Sequence, residues 1–283
     1  MGPILVTGAN GTMGRELVRL LRAGGQPVRA AIHAASSGQV IPDEGLHAVT
    51  FDFGRPETYA TALRDVRALF LLRPPAIADT KAYIDPFITA AARAGVGHVV
   101  FLSLLGAERI PVVPHYRIEQ SLLAPGMSYT FLRPSFFMQN LSGTHRGEVH
   151  RGLIAVPAGR GRTSFVDARD VAAVAARALT EEGHAGRAYP LTGAVALDYD
   201  EVAAVLSAVL GRPVLYTNPS LASFVRRQLA RRQPVGMTLV MAAIYTTARL
   251  GLAATVTPDL ANLLGRPPTS LRQFALDYQD CWQ

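Results

Sequence analysis

A chain of 283 residues can bury a substantial core, and its single cysteine, Cys281, excludes an internal disulfide and any cysteine-based metal site. The formal charge is +7, yet 27 of the 28 basic residues are arginine and the sole lysine is Lys81. Chemistry that needs a lysine ammonium as base or Schiff-base former must use Lys81 or fail, because arginine stays protonated.

In chain order, residues 4–7 form a short apolar run that reads as a strand. Residues 12–23 carry Met13, Leu17, Leu20 and Leu21 at helical spacing. Residues 28–32, 46–51 and 68–72 read as strands, with a short helix at 58–63. A helix over 80–94 stops at Gly95, followed by a strand at 99–102, a helix at 115–123 and a strand at 129–132. Apolar strands alternating with helices predict an α/β fold: a doubly wound parallel sheet of Rossmann type, with helices on both faces.

Beyond Phe136 the pattern loosens. Helices are predicted over 167–179, capped by Asp167 and Asp170, and over 199–210. Short strands fall at 154–156 and 214–216, an apolar helical stretch runs over 221–252, and a last helix follows Pro267 and Pro268. The expected organisation is a nucleotide-binding core over 1–135. A smaller, mostly helical lobe over 136–283 would be interleaved with that core in one compact unit and roof a cleft.

No positively charged leader precedes the first strand, and the most apolar stretch, 235–256, is interrupted by Arg249 and several threonines. A membrane span wants ~20 apolar residues, so the expectation is a cytoplasmic protein with no membrane partner. Six arginines and no acid fall within 202–258, and Arg226, Arg227, Arg231 and Arg232 lie close to one helix face. They read as a solvated surface, and no zinc-ligand spacing or recognition helix accompanies them, so no nucleic-acid partner is expected. His145 and His150, with Glu148 between them, are irregularly spaced, so the histidines read as surface groups and no metal site is expected.

The sharpest motif is Gly8-Ala9-Asn10-Gly11-Thr12-Met13-Gly14, placed after the first strand and before the first helix. Gly8 permits a tight turn, Gly11 lets a pyrophosphate approach the backbone, and Gly14 lets the helix pack closely. The helix N-terminus then offers free N–H groups to the anion. Further along stand Phe51-Asp52, Leu71-Leu72-Arg73-Pro74-Pro75 and Ser103-Leu104-Leu105-Gly106-Ala107. They are followed by Tyr129-Thr130-Phe131-Leu132-Arg133-Pro134, Phe136-Phe137-Met138-Gln139-Asn140 and Phe165-Val166-Asp167-Ala168-Arg169-Asp170-Val171.

With these motifs the chain resembles the NmrA-like atypical branch of the short-chain dehydrogenase/reductase superfamily over nearly its whole length. The resemblance implies that Asp52 and Phe53 flank a bound adenine and that Leu72, Arg73 and Pro74 pass the middle of the cofactor. Ser103 and Pro134 would lie near the nicotinamide. An acid at the end of the second strand would grip the ribose of NAD, but here His33, Ser36 and Ser37 offer donors to a phosphate. NADP(H) is therefore expected over NAD(H).

The wider superfamily reduces carbonyls with serine, tyrosine and lysine, the last two spaced Tyr-x-x-x-Lys. Here the matching helix pairs Tyr116 with Gln120 in one register and Pro111 with His115 in the other, set by aligning Glu119, and neither register holds the pair. Lys81 lies on an earlier helix, and the serine register of Ser103 puts Leu104 and Leu105 where the catalytic serine usually stands. His115, Tyr116 and Ser103 remain the candidate catalytic groups. The resemblance implies an NADPH-dependent reductase acting on a carbonyl of an aromatic small molecule, a polyketide ketone or a quinone, without the usual triad. The alternative is a nucleotide-sensing regulator that binds a protein partner without turnover.

Phe136, Phe137, Met138, Phe224, Met241 and Tyr245 are candidates for an apolar substrate pocket. The expected state is a monomer or homodimer. Arginine in place of lysine and frequent alanine suit a high-GC genome, compatible with an antibiotic-pathway ketoreductase such as one acting on an angucyclinone.

Overall fold

Seven strands pair side by side, all parallel, in a computed structural model that describes residues 2–33, 46–123 and 127–283. They are β1 (Ile4–Thr7), β2 (Val28–Ile32), β3 (His47–Thr50), β4 (Ala68–Leu71), β5 (His98–Leu102), β6 (Ser128–Pro134) and β8 (Arg187–Leu191). Their order is β3-β2-β1-β4-β5-β6-β8. The register sets Ile4 beside both Val28 and Ala68, and Leu102 beside Leu132. Every residue of β1 and β4 is buried, as expected for parallel strands covered on both faces. The chain departs to opposite sides after β1, so a crevice opens at the carboxyl ends of β1 and β4, where ligands bind in such folds.

Between the strands run α1 (Thr12–Ala23), α2 (Tyr59–Leu63), α3 (Thr80–Tyr83), α4 (Asp85–Arg93) and α5 (Pro114–Leu122). The single helix expected over 80–94 is two helices. Pro86 sits in the first turn of α4, where its missing N–H costs nothing, and the chain breaks at Ile84. Phe51, Phe53, Tyr59 and Phe87 interlock edge to face with centroids as close as 4.7 Å. They anchor the core under β3, α2 and α4.

The chain divides into two compact units, Met1–Pro134 with Ala168–Leu191, and Ser135–Asp167 with Thr192–Gln283. Residues 168–191 return to the first unit as α8 (Ala168–Thr180), packed against α1, and β8. Val171, Ala172, Ala175 and Ala178 are buried on α8, and such small side chains permit a close approach. β8 escapes a reading by periodicity because Arg-Ala-Tyr-Pro-Leu has no apolar run. As the last strand of the sheet it tolerates Pro190, which lacks a donor.

The second unit holds α6 (Gln139–Ser142), α7 (Arg146–His150) and β7 (Leu153–Ala155). It continues through α9 (Tyr199–Leu210), β9 (Leu215–Thr217), α10 (Leu221–Ala230), α11 (Val235–Arg249), α12 (Asp259–Leu264) and α13 (Leu271–Asp277). β7 and β9 form a separate parallel pair. The stretch 221–252 is two helices, divided by Arg232 in the left-handed region (φ 59°) and by Pro234. A reciprocal capping box between Asp198 and Glu201 starts α9. Phe165, Tyr199, Leu206, Phe224, Tyr245, Phe274 and Trp282 fill the core of this unit.

Two groups expected at the surface have partners inside the fold. His145 and Glu148 are buried: the His145 ring contacts the Tyr245 hydroxyl through Nε2 (2.6 Å) and Glu148 through Nδ1 (3.2 Å). The arginines of 226–232 do not share one solvated face. Arg231 donates to Glu148 Oε1 at 3.0 Å, and Arg227 donates to the Ala155 carbonyl while lying over the Phe224 ring. A carboxylate buried at position 148 draws both cations inward. Burial alone would raise the Glu148 pKa, but the His145 hydrogen bond and the charges of Arg231 and Arg227 hold it down at about 2.

Candidate functional site

The glycine loop after β1 has the shape its spacing predicts. Gly8 adopts φ +66°, a conformation that favours glycine, and Gly11 is the N-cap of α1 without a side-chain cap. A Cβ on Gly14 would sit 2.1 Å from the Gly8 carbonyl oxygen, so only glycine lets α1 begin directly against the turn. No acid stands in the first turn of α1. The N–H groups of Thr12, Met13 and Gly14 therefore lead an uncapped helix dipole, an arrangement that suits a pyrophosphate. Met13 is buried beneath the loop, while Asn10 is half-buried and Thr12 exposed.

The neighbouring strand ends are tied to this loop. Thr7 Oγ1 donates to the Phe70 carbonyl at 3.0 Å and accepts from the Leu72 N–H at 2.7 Å, and the Leu72 side chain faces Gly8. At the end of β2, His33 Nε2 lies 3.1 Å from Asp52 Oδ2, and Asp52 Oδ1 accepts from the Gly54 N–H at 2.8 Å. His33 and Asp52 are thus brought together, partly exposed, at adjacent strand ends. Ser36 and Ser37 lie outside the described residues. The Phe53 ring is turned into the aromatic core, which leaves its backbone as the part able to border a ligand.

At the ends of β5 and β6 the candidates form a buried network. Ser103 Oγ donates to Glu119 Oε1 at 2.5 Å, and Arg133 grips the same carboxylate through Nε (3.0 Å) and Nη2 (2.6 Å). Arg133 also pairs with Glu108 at 3.2 Å. Pro134 ends β6, and its carbonyl accepts from the Leu105 N–H at 2.9 Å. The Ser103 proton is therefore engaged inside the protein.

His115 lies on the first turn of α5, its ring stacked on Phe101 with centroids 6.1 Å apart. Burial, with the nearby Arg73 cation adding to it, holds its pKa down at about 4, so the imidazole is neutral at pH 7. Arg73 Nη1 donates to the carbonyls of Pro74, Pro75 and Ile77. Nδ1 of His115 and Nε of Arg73 are buried without a hydrogen-bond partner, so two polar atoms are left for a ligand or water to satisfy. Tyr116 is half-buried beside His115.

The substrate candidates divide by burial. Met138, Phe224 and Tyr245 are core residues of the second unit, and burial raises the Tyr245 pKa far above its ordinary value. Their side chains are spent on packing within that unit. Phe136, Phe137 and Met241 are half-buried and retain accessible surface. The Phe136 ring stands edge-on to Phe165 at 5.6 Å.

Sequence reasoning passed over Thr7 and the roles of Glu119 and Arg133. A signal was present: Glu119 is an acid between the buried Ile118 and Leu122, and Arg133 interrupts an apolar strand. Two opposite charges in apolar surroundings point to each other once the fold makes them neighbours.

Comparison with known proteins agrees with this geometry. The NmrA-like family matches residues 2–255. An NAD(P)H azoreductase of Xenophilus azovorans is 36% identical over 276 residues, covering 96% of each chain. The crystal structure of an NADPH-dependent quinone oxidoreductase of Escherichia coli in complex with NADPH superposes with a TM-score of 0.86 at 28% identity, covering 96% of this chain and 98% of that one. The triphenylmethane reductase of Citrobacter sp. complexed with NADP(H) gives 0.83 at 28% identity, covering 97% and 99%. This chain is a member of the NmrA-like family, with the Rossmann-type sheet of that group.

Proposed function

We infer that the protein is an NAD(P)H-dependent oxidoreductase that prefers NADPH and reduces aromatic small molecules. The observation that carries the reading is the uncapped N-terminus of α1 over Gly8 and Gly14 at the carboxyl edge of a parallel sheet. Relatives named for azo, quinone and triphenylmethane reduction support the aromatic class.

NADPH, when bound, supplies a hydride. The protein's own residues would hold and orient the cofactor: the N–H groups of Thr12 to Gly14 would take the pyrophosphate, His33 beside Asp52 would meet the ribose phosphate, and Ser103 and Pro134 would border the nicotinamide. Placing hydride donor and acceptor in register is the main catalytic contribution such a site makes. Ser103, its proton committed to Glu119, braces β5 against α5 and β6. His115 acts as a neutral hydrogen-bonding group, because an imidazole with a pKa near 4 is not the imidazolium acid at pH 7.

The reducing step then takes its proton from water, from Tyr116 or from the substrate. Quinones and azo compounds suit a site of this kind because water can protonate their reduced forms. An aromatic ketone with a neighbouring phenol suits it too, since the internal hydrogen bond already polarises the carbonyl. This last class includes hydroxylated polyketides. The alternative, a regulator without turnover, rests on the missing Tyr–Lys pair and on the arginines at 226–232, of which Arg227 and Arg231 are engaged internally.

The test mixes the protein and NADPH with azo dyes, quinones and aromatic ketones and follows NADPH absorbance. Turnover of at least one aromatic acceptor is expected. Tight NADPH binding with no oxidation by any of them overturns the reductase reading in favour of the regulator.

A further inference from the structure

We propose that the outer face of the α10–α11 hairpin docks on an anionic lipid surface. The inner faces of the two helices meet where the Phe224 ring stands edge-on to Tyr245, with centroids 5.5 Å apart. The outer half of α11 is left uncovered. Val235, Leu239, Val240 and Ile244 are 63%, 59%, 54% and 40% exposed, and Leu250 and Leu252 prolong the patch. From Val235 to Ala248 the helix has no charged residue. Single exposed aliphatic side chains are ordinary, but a continuous uncharged half of a fifteen-residue helix is a binding surface.

Charge selects the occupant. Arg226, midway along α10, and Arg232, in the turn between the two helices, are exposed, and no acid occurs within 202–258. Arg227 and Arg231 are engaged by Ala155 and Glu148. A second copy seated on this face would bring like charges together without a carboxylate to pair them. A protein partner would be expected to find aromatic anchors, but the exposed half is aliphatic, and Thr247 spends its hydroxyl on the Ile244 carbonyl. An aliphatic face rimmed by arginines matches an interfacial helix lying in the plane of an acidic membrane. Among the described residues no helix is long and apolar enough to cross a membrane, so contact is from the surface. The inference is independent of the reductase reading.

The experiment is flotation of the full chain with phosphatidylcholine vesicles and with vesicles of equal phosphatidylcholine and phosphatidylglycerol. Binding is expected to the acidic vesicles and to fall as salt rises. Arg226→Gln with Arg232→Gln should weaken it roughly 25-fold, about fivefold for each arginine. Leu239→Gln with Ile244→Gln should abolish it, while both double variants keep the wild-type melting temperature and NADPH affinity. Failure of the wild type to float with acidic vesicles at low salt overturns the proposal. So does a dimer in sedimentation velocity that Leu239→Gln with Ile244→Gln dissolves, since the face would then belong to a second copy.

Discussion

The Ser103 hydroxyl donates to the Glu119 carboxylate at 2.5 Å, and Arg133 holds that carboxylate through both of its oxygens. The serine at the expected nicotinamide position is thereby a brace between β5, α5 and β6. A serine acting as acid in the transition state is worth roughly 10²–10⁴ in rate. Ser103→Ala is instead expected to lower kcat by less than about tenfold, well short of that range. Glu119→Ala leaves Arg133 without its buried partner and should cost roughly 3–5 kcal/mol in urea unfolding. A Glu119→Ala protein of wild-type stability would show that the ion pair contributes nothing.

His115 links the site to acid stability. Its pKa is held at about 4 in the folded protein, below the ordinary value of 6.5, so between these two values the unfolded chain binds more protons. Stability from this group is complete above pH 6.5 and is lost as pH falls towards 4. The loss is on the order of 3 kcal/mol. His115→Phe should flatten this part of the stability curve, measured by denaturant unfolding at a series of pH values. An unchanged slope would mean that His115 titrates normally.

The phosphate loop makes a steric prediction. Gly14→Ala places a methyl 2.1 Å from the Gly8 oxygen, whereas Gly11→Ala meets the same oxygen at 3.3 Å. By calorimetry Gly14→Ala should lose more than about tenfold in NADPH affinity, some 1.4 kcal/mol, and Gly11→Ala less. The melting temperature of each variant separates lost binding from lost fold. Wild-type affinity in a folded Gly14→Ala protein would remove the loop from the cofactor site.

Cofactor choice should depend on His33. Its ring is within 3.1 Å of Asp52, so it faces both a carboxylate and the expected ribose phosphate. His33→Arg, with a fixed charge and more donors, should increase the ratio of kcat/KM for NADPH over NADH, and His33→Ala should reduce it about tenfold. Equal ratios in all three proteins would move phosphate recognition elsewhere.

The sheet of the first unit was legible because parallel strands buried on both faces are apolar runs, and the glycines at 8, 11 and 14 mark the first turn. The break at Ile84 was also written in the chain, in Pro86. β8 was not legible, since an edge strand needs little apolar surface and its pairing partner Phe131 lies far away in sequence. The burial of His145 was hidden for a related reason: its partner Tyr245 stands a hundred residues on.

What the sequence determined by itself is the arithmetic of its cations. One lysine, on the wrong helix, removes the Tyr-x-x-x-Lys chemistry whatever the alignment, because no other side chain gives a lysine ammonium. Only the tertiary structure decided what the remaining polar groups do. Ser103 became a brace, His115 a neutral ring, and two of the four clustered arginines internal partners of α7 and β7, because burial and a facing charge set protonation and contact. Those are properties of neighbours, and neighbours exist only in the fold.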